Sequence, residues 1–534
     1  MSRTESRIRR GQVNSKPLGI WSLVGAAFGA IIGSGWLLGA ASAASIAGPA
    51  SVIAWVIGGV AMLVIALVMV EVGSLLPKSG GVVWWPFHSS GRLVGTVVAA
   101  GVLIFYAANP PSEAIAMVKF ANGHLESGLT KPNGDLTITG YGWALAFMIV
   151  FVLLNMFGVA WFARVNTVVT ISKFVVPVLT VVLLGLSFRT QNFTSQSTSG
   201  FNPYGWNAVF SALISGGVIY AYGGFQAPLD HAGEARSPRD VRRAVILSIL
   251  LCIVIYTALQ VVFIGATPAA RLSDGWTHIH FNKEDYANSP YMELAATLNL
   301  TWLSWLLRVE SLSSPAGSAL VFTSAMAQEV AQFGLNRIMP HWLADRSGRR
   351  EVLGKAMAIN LAIGAMLLSF GGWEQITAVS AVCSLFVYAM AAIPYSAFRQ
   401  QARIAAVMRW RLLAPCSFVL ATLIVYGGGW AHLWRSVGSM TALALLLYAF
   451  RWHVPDARRA DDLRAGLWLL GYFAALLLLS GLVNELKVIP QPVGILLAIA
   501  LGAGAYAQGV RDARSYLRRY PVAFPVTKHQ PGPD

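Results

Sequence analysis

Lys173 lies in the apolar stretch Asn166-Thr-Val-Val-Thr-Ile-Ser-Lys173-Phe-Val-Val-Pro177. An ammonium at membrane depth is costly, and such a residue is a functional candidate by default. A lysine taken out of water can exchange a proton near neutrality, which suits proton coupling. A fixed ammonium can also stand in for a bound sodium ion. The alternative is snorkelling, in which the long stem carries the charge back to the interface. On the sequence reading that interface is about 10 Å away, taking ~1.5 Å per helical residue.

A second feature suited to chemistry is the run Gly25-Ala-Ala-Phe-Gly29-Ala-Ile-Ile-Gly33-Ser34-Gly35-Trp36-Leu-Leu-Gly39. Gly25 and Gly29 fit a small-residue packing face. Gly33, Ser34 and Gly35 together weaken a helix at mid-membrane, where broken backbone is tolerated only if it lines a cavity. Freed N–H groups at the start of the second half-helix would favour an anion. Packing alone remains the competing reading. The run Ser215-Gly216-Gly217-Val-Ile-Tyr220-Ala221-Tyr222-Gly223-Gly224-Phe225-Gln226 repeats the feature. Two glycine-interrupted segments at matching places suggest inverted repeats around a midplane binding site.

Other ionisable groups in apolar stretches are less specific. Glu71 reads as structural. Glu113 follows Pro110-Pro111, where a kink is expected, and function and core pairing are equally open. Arg308 and Glu310 could pair with each other. Asp230 and Glu234 fit organisation of a basic loop. His278 and His280 lie near Glu284 and Asp285 in the longest connection, 267–301, where an ordinary loop explains them better than a metal site. Asn192 and Asn299 sit in glycosylation sequons, relevant only in a host that uses them. No Walker loop, dinucleotide fingerprint, zinc spacing or nucleophile–base motif is present. No cofactor, metal, enzyme activity or nucleotide-driven pump is therefore expected.

The elements that must hold these residues are set by composition. The 534-residue chain is 56% hydrophobic and 12% charged, against about 25% charged in an average soluble domain. Disorder, a coiled coil and a disulfide scaffold are excluded, and Cys252, Cys383 and Cys416 all lie in apolar runs. An all-α polytopic membrane protein follows, because the apolar runs are continuous rather than the ten-residue alternations of a β-barrel. Fourteen spans are read at about 18–47, 50–76, 92–121, 140–161, 166–188, 207–230, 244–266, 302–333, 355–372, 374–398, 410–428, 430–450, 465–484 and 489–509, with twelve as the alternative. With the N-terminus inside, thirty Lys and Arg residues fall in inside segments, eight fall outside, and Lys173 is left over. That asymmetry supports cytoplasmic N- and C-termini in a cell (inner) membrane. It also turns the net charge of +16 toward an anionic inner leaflet rather than nucleic acid.

Several stretches resemble the amino acid–polyamine–organocation (APC) superfamily of permeases over roughly residues 15–400. They are Gly29-Ala-Ile-Ile-Gly-Ser-Gly-Trp36, Gly73-Ser-Leu-Leu-Pro-Lys-Ser-Gly-Gly81, Tyr220-Ala-Tyr-Gly-Gly-Phe225, Ala232-Gly-Glu-Ala-Arg-Ser-Pro238 and Asn336-Arg-Ile-Met-Pro340. Gly-Ser-Gly-Trp36 and Asp230-His-Ala-Gly-Glu234 look most like the bacterial aspartate–proton symporter-type permeases. The resemblance implies a five-plus-five inverted-repeat fold: a tail at 1–17, repeats at 18–188 and 189–398, peripheral spans at 399–509 and a tail at 510–534. It puts the substrate carboxylate on N–H groups of Gly33, Ser34 and Gly35. The substrate amino group falls on the second break, around Tyr220, Ala221, Tyr222 and Gly223, with Tyr220 as an aromatic lid. Lys173 would fill the sodium position of sodium-dependent relatives, with span 1 carbonyls and Ser314 or Ser318 as partners. Gln226, counted with the substrate-binding residues, stands where the family often has Glu, so a carboxylate switch there is lost. Gln328-Glu329 replaces a common span 8 Arg.

The expectation is a secondary transporter for an amino acid or related small amine, proton-coupled and sodium-independent. An antiporter and a transporter-like sensor without flux are the rivals.

Overall fold

The computed structural model describes residues 17–524 except 77–79, 123–127, 132–134, 158, 195–199, 231, 233–234, 273–274, 280–289, 337, 346–352, 403–407 and 452–458. Lys78, Glu234, His280, Glu284, Asp285, Arg337, most of the N-terminal tail and residues 525–534 lie outside that set. Every apolar segment read from the sequence is helical. The helices are α1 (Ile20–Ile31), α2 (Gly35–Ala47), α3 (Ser51–Leu75), α4 (Gly81–Ala121), α5 (Ile138–Met156), α6 (Val159–Gly185) and α7 (Gly205–Ser215). They continue as α8 (Pro238–Ala266), α9 (Pro290–Thr297), α10 (Thr301–Leu335), α11 (Gly354–Leu367), α12 (Trp373–Ala389) and α13 (Ala392–Gln401). The last four are α14 (Met408–Gly427), α15 (Trp430–Arg451), α16 (Arg459–Ser480) and α17 (Gln491–Arg519). Among the described residues the only β-pairing is two isolated bridges.

Seven described helical stretches are long and apolar enough to cross a membrane by themselves. The first segment falls short of this test because it is split, its first helix having 12 residues. The same holds at α7, which has 11. Helices α14 and α15 turn through 117° between Leu412–Gly427 and Trp430–Ala449. Apolar side chains such as Leu153, Val175, Val182, Val254, Leu467 and Leu496 stay exposed on the outside of the bundle. That surface makes sense where lipid, not water, is the solvent. The chain is thus an all-α polytopic membrane protein.

Helix α4 runs through the middle, with every residue from Val94 to Ala121 buried. The kink expected at Pro110-Pro111 does not break it; its one non-helical residue is Gly91, at φ 81°. Asp462, in the first turn of α16, fills that kink. Its Oδ1 accepts from the Arg92 backbone N–H at 3.2 Å and from Tyr516 Oη of α17 at 2.8 Å. Its Oδ2 lies 3.7 Å from Arg92 Nε. A Cβ on residue 91 would sit 2.8 Å from Asp462 Oδ1. Helices α16 and α17 therefore brace the helix that carries Glu113.

Candidate substrate and coupling site

Helix α1 ends where Ile32 turns extended, at φ −85° and ψ 99°. Its N–H still reaches Phe28 O at 3.0 Å, but the carbonyls beyond Phe28 have lost their helical donors. Side chains from three other helices replace them. Lys173 Nζ of α6 donates to Gly29 O at 2.7 Å. Ser318 Oγ of α10 donates to Ala30 O at 3.2 Å, and Tyr256 Oη of α8 to Ile31 O at 3.2 Å. Ser314 Oγ of α10 lies 3.3 Å from both Ile32 O and Gly33 O. Neither serine bonds Lys173 itself; both serve the carbonyls beside it.

Lys173 is 0% exposed. Because α6 starts at Val159, it lies about 21 Å along its helix at ~1.5 Å per residue. Snorkelling is not what its side chain does: the ammonium turns inward onto the end of α1.

The other lip of the break receives a carboxylate. The Ser34 N–H, at the start of α2, donates to Glu113 Oε2 at 2.7 Å. Gly33 permits this approach, since a Cβ there would collide with Glu113 Oε1 and lie 3.0 Å from Ser318 Cβ. Gly35 is equally constrained, with Ala221 Cβ 2.8 Å from where its own Cβ would be. Placement of both charges follows from the backbone. An ammonium caps the carbonyl end of α1 and a carboxylate caps the N–H end of α2, each stabilised by the local dipole.

The second break brings Tyr220 to the same point. Gly217 takes φ 72°, followed by a helical turn at Val218–Ala221. Tyr220 Oη donates to Glu113 Oε1 at 3.0 Å and lies 2.5 Å from Ser112 Oγ. Asn109 Nδ2, one turn before Glu113 on α4, lies 3.3 Å from Glu113 Oε1, 3.1 Å from Tyr220 Oη and 3.3 Å from Ser318 Oγ. Its Oδ1 is buried without a hydrogen-bond donor. Trp373, the first residue of α12, donates from Nε1 to Ser34 Oγ at 2.9 Å.

Several residues singled out from the sequence lie elsewhere or are already engaged. Tyr222 faces away from the cluster, its Oη donating to Trp55 O at 3.0 Å. The Tyr220 carbonyl accepts from Gly223 N at 2.9 Å, and the Ala221 carbonyl from Tyr256 Oη at 3.1 Å. Gln226 Oε1 accepts from Gly224 N at 3.1 Å and Tyr388 Oη at 2.7 Å, and its Nε2 meets Tyr106 Oη at 3.1 Å. Tyr106 Oη in turn donates to Asp230 Oδ2 at 2.9 Å. Arg308 lies over the Trp305 ring at 4.7 Å instead of pairing with Glu310. Glu71 pairs with Arg242 at 2.7 Å. Asn109 had a readable signal, since i and i+4 share a helix face; Trp373 had none.

Two discontinuous helical segments meeting at a buried polar cluster inside a lipid-facing bundle define a polytopic transporter. Comparison narrows the class. The amino acid permease family model matches residues 18–399, and the chain belongs to that family. It is 33% identical over 485 residues to the glutamate/serine transporter AimA of Bacillus subtilis (strain 168), covering 88% of each chain. It is 31% identical over 503 residues to the aspartate-proton symporter of the same organism, covering 91% of this chain and 94% of that one. A shorter match, 28% over 269 residues, links it to the branched-chain amino acid permease BcaP, covering 48% of this chain and 56% of that one.

Proposed function

We propose that the protein imports an amino acid together with a proton, independently of sodium, by alternating access around the two breaks. The observation that carries the reading is the pairing of Glu113 with the Ser34 N–H while Lys173 holds Gly29 O. The substrate carboxylate and Glu113 compete for the same N–H. An anion that takes the place expels Glu113 into surroundings without water, where a bare carboxylate is very costly. Glu113 therefore takes up a proton as substrate binds, which makes the two events one. Lys173 supplies the positive charge that a sodium ion would otherwise bring to the carbonyls of α1. Asn109 Oδ1, buried and without a donor, suits the substrate ammonium or a side-chain hydroxyl.

The division into repeats at 18–188 and 189–398 belongs to this reading. It is supported by breaks at corresponding places, 32–34 and 216–217. The helices of 399–509 are then an added scaffold, braced on α4 through Asp462. The charge asymmetry supports cytoplasmic N- and C-termini. The relatives' names make serine, aspartate and glutamate the first substrates to try.

The test is uptake of these three amino acids into proteoliposomes under an imposed pH gradient, with and without sodium. Uptake that follows the pH gradient and ignores sodium is expected. Uptake that needs sodium would sink the reading. Flux only against an internal amino acid would make the protein an antiporter, and a thermal shift on binding without flux would make it a sensor.

A further inference from the structure

We infer that Trp373 limits the bulk of the substrate side chain, so that the protein rejects amino acids with branched or aromatic side chains. This rests on the transport reading above. Trp373 touches both breaks. Its Nε1 donates to Ser34 Oγ at 2.9 Å, which pins the indole over the first break. The opposite edge of the ring lies on the second break, where a Cβ on Gly217 would be 2.7 Å from Cη2 and 3.1 Å from Cζ3. The ring also meets Tyr220 edge to face, with centroids 5.9 Å apart. Trp373 is 0% exposed.

A substrate carboxylate on the Ser34 N–H leaves its side chain few directions. The flanks of Ser34 are filled: a Cβ on Gly33 would meet Glu113 and Ser318, and one on Gly35 would meet Ala221. The direction along Ser34 Oγ leads under the indole. The indole closes that direction, so a branched or aromatic group must push the ring away. The backbone behind the ring resists that push. Trp373 follows Gly371 at φ 121° and begins α12. Its neighbour Glu374 holds Lys119, near the end of α4, at 3.7 Å. The ring is thus a fixed ceiling and determines specificity without taking part in proton movement.

The experiment measures initial uptake of alanine and leucine by the same proteoliposome preparation for wild type, Trp373→Phe and Trp373→Ala. The leucine-to-alanine ratio of uptake efficiencies is independent of how much protein is folded. Losing contacts from the wall of a side-chain pocket changes such discrimination by about tenfold or more, and that rise is expected for Trp373→Ala. A smaller rise in the same direction is expected for Trp373→Phe, which keeps a ring. Trp373→Phe also loses the bond to Ser34, so its KM for alanine should rise while its maximal rate holds. If Trp373→Ala gives no folded protein, the Trp373→Phe ratio alone decides. An unchanged ratio in a variant that still takes up alanine overturns the inference and leaves the transport reading intact. No uptake of any amino acid by wild type takes both away.

Discussion

The Glu113 carboxylate of α4 caps the Ser34 backbone N–H at the first break, 2.7 Å apart, although the two residues are 79 positions apart in the chain. On the proposed transport reading, the protein's own carboxylate occupies the donor that an amino acid substrate would need. Competition at that one N–H would then tie substrate binding to the protonation of a side chain.

Glu113→Gln keeps the size of the side chain and removes its charge. Substrate no longer has to displace an anion, so exchange of labelled for unlabelled substrate should persist. Accumulation driven by a pH gradient should fall to the level of passive exchange. Counterflow and gradient-driven uptake on the same proteoliposomes separate the two; a variant that still accumulates substrate removes Glu113 from coupling.

Lys173→Ala should abolish proton-driven uptake. It also leaves Gly29 O buried without its donor, which costs about 1–3 kcal/mol, so the melting temperature should fall. Lys173→Met fills the space and separates packing from charge. If Lys173→Met restores stability and also restores gradient-driven uptake, the ammonium is not needed for coupling.

The glycines of the first segment should respond unequally. A Cβ on Gly33 would collide with Glu113, whereas nothing lies within 4 Å of one on Gly25. Gly33→Ala should abolish uptake and destabilise by about 1–3 kcal/mol through overpacking. Gly25→Ala should leave both close to wild type, because that position is open. Thermal melting and uptake of the pair provide the check, and equal effects would argue against the described packing at Gly33.

Tyr220 and Tyr222 are two residues apart but have different surroundings. Tyr220→Phe removes a hydroxyl from Glu113 and Ser112, and its KM should rise several-fold, corresponding to about 1 kcal/mol. Tyr222→Phe removes a bond to Trp55 O, so it should lower stability by a similar amount with KM unchanged.

Asp462 tests whether the C-terminal helices matter to the site. Asp462→Ala leaves the Arg92 N–H without this acceptor at the Gly91 kink and should cost about 1–3 kcal/mol. Because α4 carries Asn109 and Glu113, uptake should weaken along with the melting temperature. Full activity at a lowered melting temperature would make the brace purely structural.

Much of this was readable in the chain. The breaks announce themselves because Gly33-Ser34-Gly35 and Gly216-Gly217 are rare at mid-span. Lys173 announces itself because it is a lone ammonium in a long apolar run, although the sequence left snorkelling open as its explanation. Glu113 was legible as a buried acid but not as a cap on Ser34, since nothing local to either residue encodes a contact across 79 positions. Pro110-Pro111 keeps helical backbone angles, while the break at Gly91 is filled by Asp462, 371 residues further on. Tyr222 shared every sequence feature of Tyr220 and faces the other way, because successive residues on a helical turn point in different directions.

The sequence by itself determined the solvent, the helical class, the two weak points in the helices and the one isolated cation. Those are properties of composition and local pattern, and lipid enforces them without reference to partners. Only the tertiary structure decided which groups meet at the weak points. Glu113 and Lys173 come to opposite lips of the first break, and Trp373 spans both breaks, because helices from distant parts of the chain pack there and free backbone groups in a dry interior must find partners.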